Sequence, residues 1–358
     1  MICSQAAERS VLSDSEAEGG HGQGGRESLL ALWREPLRLF RTARQLCRET
    51  CGDEVSFVVN RNINFTNVCV GRCKFCAFRR VEGFRLTDQQ ILDRVASADA
   101  LGATELCIQG GLAPGMVVED YCHILELISS DYPRIHLHAF SPMEVLHMAG
   151  NSGVEVAAAL LDLKAAGLGS MPGTAAEILV DEVRRQICPT KMNVAMWREV
   201  ITTAHRLGIP TTSTMLYGHV ESFQDRLAHL EILREIQGQT RGITEFILLP
   251  LVPWRTELAG VTRGPDLLEN LKMHALARVA LHPLITNVQS SWVKLGREAA
   301  GATLEWGVND LGGTLMEDHI SHSAGSTESQ YISADELCEI IERHGRVPVQ
   351  RTTLYQRV

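Results

Sequence analysis

The chain has 358 residues, 45% of them hydrophobic and 22% charged, which is ample for one large core. A net charge of -9 and a pI of about 5.8 argue against a nucleic-acid-binding surface. No apolar run approaches the roughly 18 residues of a membrane span.

Met1 to Gly25 is rich in Ser, Gly and Glu, has no apolar signal core and lacks transit-peptide composition, so it reads as a disordered tail. Leu29, Leu30, Trp33, Leu37, Phe40 and Leu46 then predict an amphipathic helical lead-in, interrupted at Pro36. From about Ser56 the pattern alternates strand and helix. Val58, Ile63 and Phe65 mark a first strand. Thr87 opens a helix with Gln90 completing a capping box, and Gly102 closes it. Glu105 to Ile108 predicts a second strand ending at Gly110-Gly111. Ile135 to Phe140 predicts a third, followed by the capping box of Ser141 and Glu144 with Pro142 at the first helical position.

A fourth unit runs from Gly167 to Pro172 into a helix expected at Thr174. The fifth strand is expected over Thr211 to Tyr217 and the sixth over Glu245 to Leu251. The seventh covers Leu284 to Gln289, and the eighth reaches Asp310. Eight strands alternating with helices predict an α/β fold, a parallel (β/α)8 barrel of the TIM type with an N-terminal helical extension. The expected division is a tail and lead-in over 1–50, a barrel over 51–310 and a C-terminal extension over 311–358. Active sites of such barrels lie at the carboxyl ends of the strands.

The loop after the first strand carries Cys69, Cys73 and Cys76 in a C-x3-C-x2-C spacing, with Phe75 just before the last cysteine. Three thiolates on one loop hold three irons of a 4Fe-4S cluster, whereas electron-transfer clusters take four cysteines. The fourth iron is then open to a ligand, and the expected one is S-adenosylmethionine, whose reductive cleavage releases a 5′-deoxyadenosyl radical. A structural zinc site wants a fourth ligand nearby, and the next cysteine is Cys107. The other seven cysteines follow no framework, which suits incidental thiols in a reducing cytoplasm.

Polar residues at the other strand ends are candidates for the same site. Gly110 and Gly111 would let the methionine end of the cofactor approach the backbone, a plain tight turn being the alternative. Glu177 is explained either by a capping box with Thr174 or by hydrogen bonds to the cofactor. Lys191 is placed to pair with the cofactor carboxylate or to stand in solvent. Gly218 and Glu221 are candidates for the nucleoside, or Glu221 for a helix start. His136 and His138 share one side of a strand without a third metal ligand, and His138 is assigned to substrate. Asn287, Gln289, Ser291, Trp292, Asn309 and Asp310 suit a polar heterocycle with a polyol chain, turn chemistry being the alternative for Asn309 and Asp310.

With the cysteine triad, the runs Asn60–Asn67, Cys107–Leu112, His136–Glu144, Ser170–Ile178, Gly218–Glu221, Gln289–Gly296 and Asn309–Thr314 resemble the radical S-adenosylmethionine enzymes of deazaflavin and menaquinone biosynthesis. Within them the chain is similar to the second subunit of FO synthase, the CofH type. The resemblance implies hydrogen abstraction from the amino group of L-tyrosine and scission of its Cα–Cβ bond. The 4-hydroxybenzyl group then passes to C5 of 5-amino-6-(D-ribitylamino)uracil, with release of 2-iminoacetate. It also implies a low-potential electron donor and, as one triad is present, a separate CofG-type subunit that closes the deazaflavin ring of the coenzyme F-420 precursor. Two positions depart from relatives, Ala113 where many have His and His322 where many have Arg. The alternatives are an aminofutalosine synthase-like enzyme and a non-catalytic iron–sulfur or zinc protein.

Overall fold

The structure is a computed structural model describing residues 23–317, 319–328 and 331–358. Most of the expected N-terminal tail therefore lies outside the described residues. The lead-in forms two helices, Gln23–Arg34 and Pro36–Cys51. Pro36 starts the second helix because its missing N–H is not needed at the first helical position. Leu39, Phe40, Ala43 and Leu46 give that helix a buried face, which packs on the helix Leu267–Leu281.

The strands are β1 (Glu54–Val58), β2 (Asn60–Asn64), β3 (Glu105–Gln109), β4 (His136–Ala139), β5 (Thr211–Tyr217), β6 (Ile243–Pro250), β7 (Val288–Ser290), β8 (Asp310–Gly313) and β9 (Val347–Gln350). Their pairings are all parallel. One sheet has the order β5-β6-β7-β8-β1-β9 and the other β2-β3-β4. Two parallel bridges, His138 to Ser170 and Met171 to Thr211, join them. β1 and β2 are one strand interrupted at Val59, paired with β8 in its first half and β3 in its second. The ring therefore closes with eight staves, the fourth being the short stretch Ser170 to Met171. This is the (β/α)8-type barrel expected from the sequence.

The segment after the fourth stave departs from expectation. No helix starts at Thr174; Ala175 and Glu177 adopt positive φ angles of 61° and 45°, and the next helix is Asp181–Ile187. Buried Arg184 accounts for this. Its guanidinium donates to the carbonyls of Ala175 at 3.0 Å and Met192 at 2.7 Å, and also reaches those of Ala176 and Ile178. Trp197 donates its indole N–H to the Thr174 carbonyl at 3.2 Å. Carbonyls drawn to Arg184 and Trp197 are not available to a helical ladder.

β9 pairs with β1 outside the ring and sends the C-terminal segment beneath the barrel. There Arg351 binds Asp310 and Glu245, and the Tyr355 hydroxyl donates to Glu245. These groups seal the amino-terminal end of the barrel, opposite the cysteine loop. The boundary expected at residue 310 falls at the start of β8, which belongs to the ring. Among the described residues no helix is long and apolar enough to cross a membrane.

Candidate active site

β2 delivers the chain into the cysteine loop. Phe65 anchors its root, fully buried and edge-on to Tyr121 and Phe140 at centroid distances of 5.8 and 6.1 Å. Beyond Phe65 the loop has little regular structure and is held by backbone bonds to its neighbours. Gly111 N–H donates to the Thr66 carbonyl at 2.8 Å, Val70 N–H to Leu112 at 3.0 Å and Lys74 N–H to Ile187 at 2.8 Å. The Lys74 carbonyl accepts from Glu257 N–H at 3.0 Å. Cys69, Cys73 and Cys76 are thereby held half-buried on the wall of a cavity of about 390 Å³.

The donor set fits a cluster. Three free thiols converge on one cavity, and Cys69 Sγ already accepts the Gly71 N–H at 3.3 Å. Burial pushes the Cys73 thiol up to about 12, with Lys191 opposing. Among the described residues no group of three or more His, Cys, Asp or Glu side chains is gathered for a single metal ion.

Gly110 and Gly111 line the cavity, but packing explains their lack of a side chain. A Cβ at Gly110 would lie 2.4 Å from the Phe65 ring, and one at Gly111 would lie 2.2 Å from the Val68 carbonyl oxygen. They let the cysteine loop lie against the end of β3. Glu144, read from the sequence only as a cap, also lines the cavity. Its carboxylate accepts the Ser141 N–H at 2.7 Å and the Gly110 N–H at 2.9 Å. Burial pushes its carboxyl up to about 7 against those bonds.

Glu177 and Lys191 both line the cavity and form a buried ion pair with each other. The capping box with Thr174 is absent because that helix is absent. Burial works against the Lys191 ammonium, yet Glu177 and the nearby thiols hold its pKa above the ordinary lysine value. The ammonium also lies 5.4 Å from the Phe75 ring centroid, which ties the pair to the cysteine loop. Gly218 and Glu221 do not line the cavity. The Glu221 side chain is fully buried and accepts N–H groups from Gly218 at 2.6 Å and His219 at 2.8 Å and from Arg226 at 2.8 Å. It closes the turn after β5, leaving no lone pair directed to a nucleoside.

The expected substrate residues divide. Gln289 and Trp292 line the cavity, although Trp292 is packed as wall, its indole N–H donating to the Gly313 carbonyl at 2.9 Å. His138 lies below it, buried, with Nδ1 2.7 Å from Ser170 Oγ, and burial lowers its pKa to about 4. Asn287, Asn309 and Asp310 sit at the amino ends of β7 and β8, the far end of the barrel. Asn287 donates to Thr244, Asn309 accepts from Val288 N–H at 2.9 Å and from Arg278, and Asp310 is held by Arg351 and Ser56. Their polar groups are used for structure. Strand-end placement alone misplaced them, because β7 starts at Val288 rather than Leu284 and β8 starts at Asp310, the residue expected near its end.

Cavity residues that sequence reasoning passed over include Asn62, Gln109, Arg79, Thr214 and Lys294. Asn62 had a signal, since Asn60, Asn62 and Asn64 recur at period two along a strand, placing polar groups on one side. Ala113 is buried and His322 exposed; neither is a cavity-lining residue.

A closed parallel barrel with three cavity thiols beyond its first strand defines the radical S-adenosylmethionine class. Residues 63–233 match the radical SAM superfamily model and residues 241–358 the CofH/MqnC C-terminal region. The fold is shared with methylornithine synthase (PylB), at a TM-score of 0.71 and 17% identity over 94% of this chain and 96% of that one. The hydrogenase maturase HydG gives 0.73 and 14% identity over 95% of this chain and 75% of its own.

Two relatives, both named 5-amino-6-(D-ribitylamino)uracil--L-tyrosine 4-hydroxyphenyl transferase, are much nearer in sequence. The Archaeoglobus fulgidus protein is 51% identical over 90% of this chain and 94% of its own. The first of two such Methanosarcina barkeri proteins is 49% identical over 93% of this chain and 90% of its own. The chain belongs to this family of radical S-adenosylmethionine enzymes.

Proposed function

We propose that this chain transfers the 4-hydroxybenzyl group of L-tyrosine to C5 of 5-amino-6-(D-ribitylamino)uracil, with 2-iminoacetate as the other tyrosine fragment. The observation that carries this reading is identity near one half, across nine-tenths of the chain, with relatives bearing that activity in their name. The intact cysteine triad on the cavity wall supports it.

Cys69, Cys73 and Cys76 would hold the 4Fe-4S cluster, leaving one iron for S-adenosylmethionine. Once bound and reduced by a low-potential electron donor, these groups supply a carbon-centred radical that abstracts hydrogen. The chain's own residues position and enclose. Gly110, pinned by Glu144, and Gly111, bonded to the Thr66 carbonyl, hold the cysteine loop in place. The Lys191–Glu177 pair puts a fixed cation and anion beside that loop, in reach of the zwitterionic methionine end of the cofactor. Burial of the pair strengthens both charges, since little solvent screens them. Ile247, Leu249, Leu251 and Leu311 add an apolar wall to the cavity, which would help to exclude water from a radical. Ring closure to the deazaflavin would fall to a CofG-type partner. The nine described cysteines are all free, which supports a reducing, cytoplasmic setting.

The test is anaerobic turnover of the reconstituted protein with dithionite, S-adenosylmethionine, L-tyrosine and the diaminouracil, read by mass spectrometry. The expected products are a hydroxybenzyl–uracil adduct and 5′-deoxyadenosine. Deoxyadenosine without adduct would overturn the acceptor assignment and leave the radical chemistry standing.

A further inference from the structure

The cavity is lined by four carboxamides, Asn62, Asn67, Gln109 and Gln289. Two are used within the protein. Asn67 Oδ1 accepts the Phe84 N–H at 2.9 Å, and Gln109 Nε2 donates to Thr174 Oγ1 at 3.0 Å. Asn62 and Gln289 make no side-chain hydrogen bond among the described residues. The amides elsewhere in the barrel show the contrast, since Asn60, Asn287 and Asn309 are committed to structure.

The seat of Gln289 is built. Gly312 sits opposite it on β8 with φ +72°, and a Cβ there would lie 2.4 Å from Gln289 Nε2. Asp310 Oδ1 accepts the Gly312 N–H at 2.6 Å and fixes that turn. A side chain there would displace the carboxamide from this position, and the positive φ itself favours glycine. β7, β8 and the β1–β2 strand are neighbours, so Gln289 and Asn62 flank one stretch of wall, with Leu311 and Gly313 between them. That wall is neutral apart from Lys294. The other charged cavity residues, Arg79, Glu144, Glu177 and Lys191, belong to the cysteine loop and the segments after β4.

We propose that Gln289, with Asn62, recognises the imide edge of the uracil acceptor and so sets acceptor specificity, an inference that rests on the function proposed above. The edge presents C2=O, N3–H and C4=O, an acceptor, a donor and an acceptor. A carboxamide offers a donor beside an acceptor and so pairs with N3–H and one carbonyl at once. A carboxylate would face a carbonyl lone pair, and an ammonium has nothing to accept N3–H. With Lys191 and Glu177 given to the cofactor and Glu144 bound to the backbone, Arg79 on the cysteine-loop side is left for the tyrosine carboxylate, and the neutral wall is left to the heterocycle.

The test compares wild type, Gln289→Leu and Gln289→Glu under the anaerobic conditions above, with KM determined separately for the diaminouracil and for tyrosine. Iron content and circular dichroism establish that each variant is folded and loaded. Both variants should raise KM for the diaminouracil by about tenfold to hundredfold, the loss of one to two hydrogen bonds, with KM for tyrosine within about twofold of wild type. Asn62→Leu should move the same constant in the same direction. A wild type that makes adduct alongside Gln289 variants of unchanged diaminouracil KM overturns this assignment alone. So does a shift that falls on tyrosine. A wild type that makes no adduct overturns it together with the acceptor reading.

Discussion

Replacing Arg351 by Met removes the cation from beneath the barrel and leaves two carboxylates without it. Arg351 contacts Asp310 twice, Nε to Oδ2 at 2.5 Å and Nη2 to Oδ1 at 3.1 Å, and reaches Glu245 Oε2 at 3.2 Å. The three side chains are 4%, 0% and 8% exposed, so water does not take the place of the guanidinium. Breaking a buried pair by removing one partner costs about 3–5 kcal/mol, a large part of the roughly 5–15 kcal/mol that holds a domain folded. The exposed pair Arg185–Glu182, at 67% and 74%, is the opposite case, where solvent screens both charges and loss of a partner is scarcely felt. Urea unfolding of Arg351→Met should show the buried-pair cost. Adding Asp310→Asn and Glu245→Gln should recover most of it, because the two carboxylates that Arg351 touches are then neutral, while nearby Glu105 keeps its hydrogen bond from Asn60. A loss below about 1 kcal/mol, or a triple variant no more stable than the single one, would refute the reasoning. It would also reopen a substrate role for Asp310.

Gly110→Ala forces a methyl group into the Phe65 ring and should destabilise by about 1–3 kcal/mol while lowering iron loading, measured by melting and by iron content. Cys73→Ala should abolish 5′-deoxyadenosine production and leave the far-UV circular dichroism unchanged, since the loop lies outside the barrel core. Burial and neighbouring Asp310 raise the Glu245 carboxyl to about 7, with Arg351 opposing. A raised carboxyl favours folding below its unfolded value of 4.5, and that contribution falls as pH climbs through 7. Glu245→Gln should therefore flatten the decline in melting temperature between about pH 4.5 and 7, and an unchanged slope would assign it to other groups.

The strand–helix alternation and the cysteine spacing were enough to specify the barrel class and the cavity-lining cysteine loop at its mouth. Each depends on local order along the chain: period-two and period-3.6 patterns, capping boxes at Thr87 and Ser141, and three thiols within eight residues. The remaining site residues were only partly legible. Glu177 looked like a helix cap, but the helix is prevented by Arg184, a residue seven positions later whose guanidinium collects the carbonyls. Asn309 and Asp310 looked like mouth residues until the start of β8 put them at the floor, against an arginine from the end of the chain. The two glycines at 110 and 111 looked like ligand space; they line the cavity, and they also leave packing space for Phe65 and Val68. Local pattern states which elements form. Whether a polar group faces the cavity or is already satisfied depends on partners distant in sequence, and closure of the ring decides which of them meet.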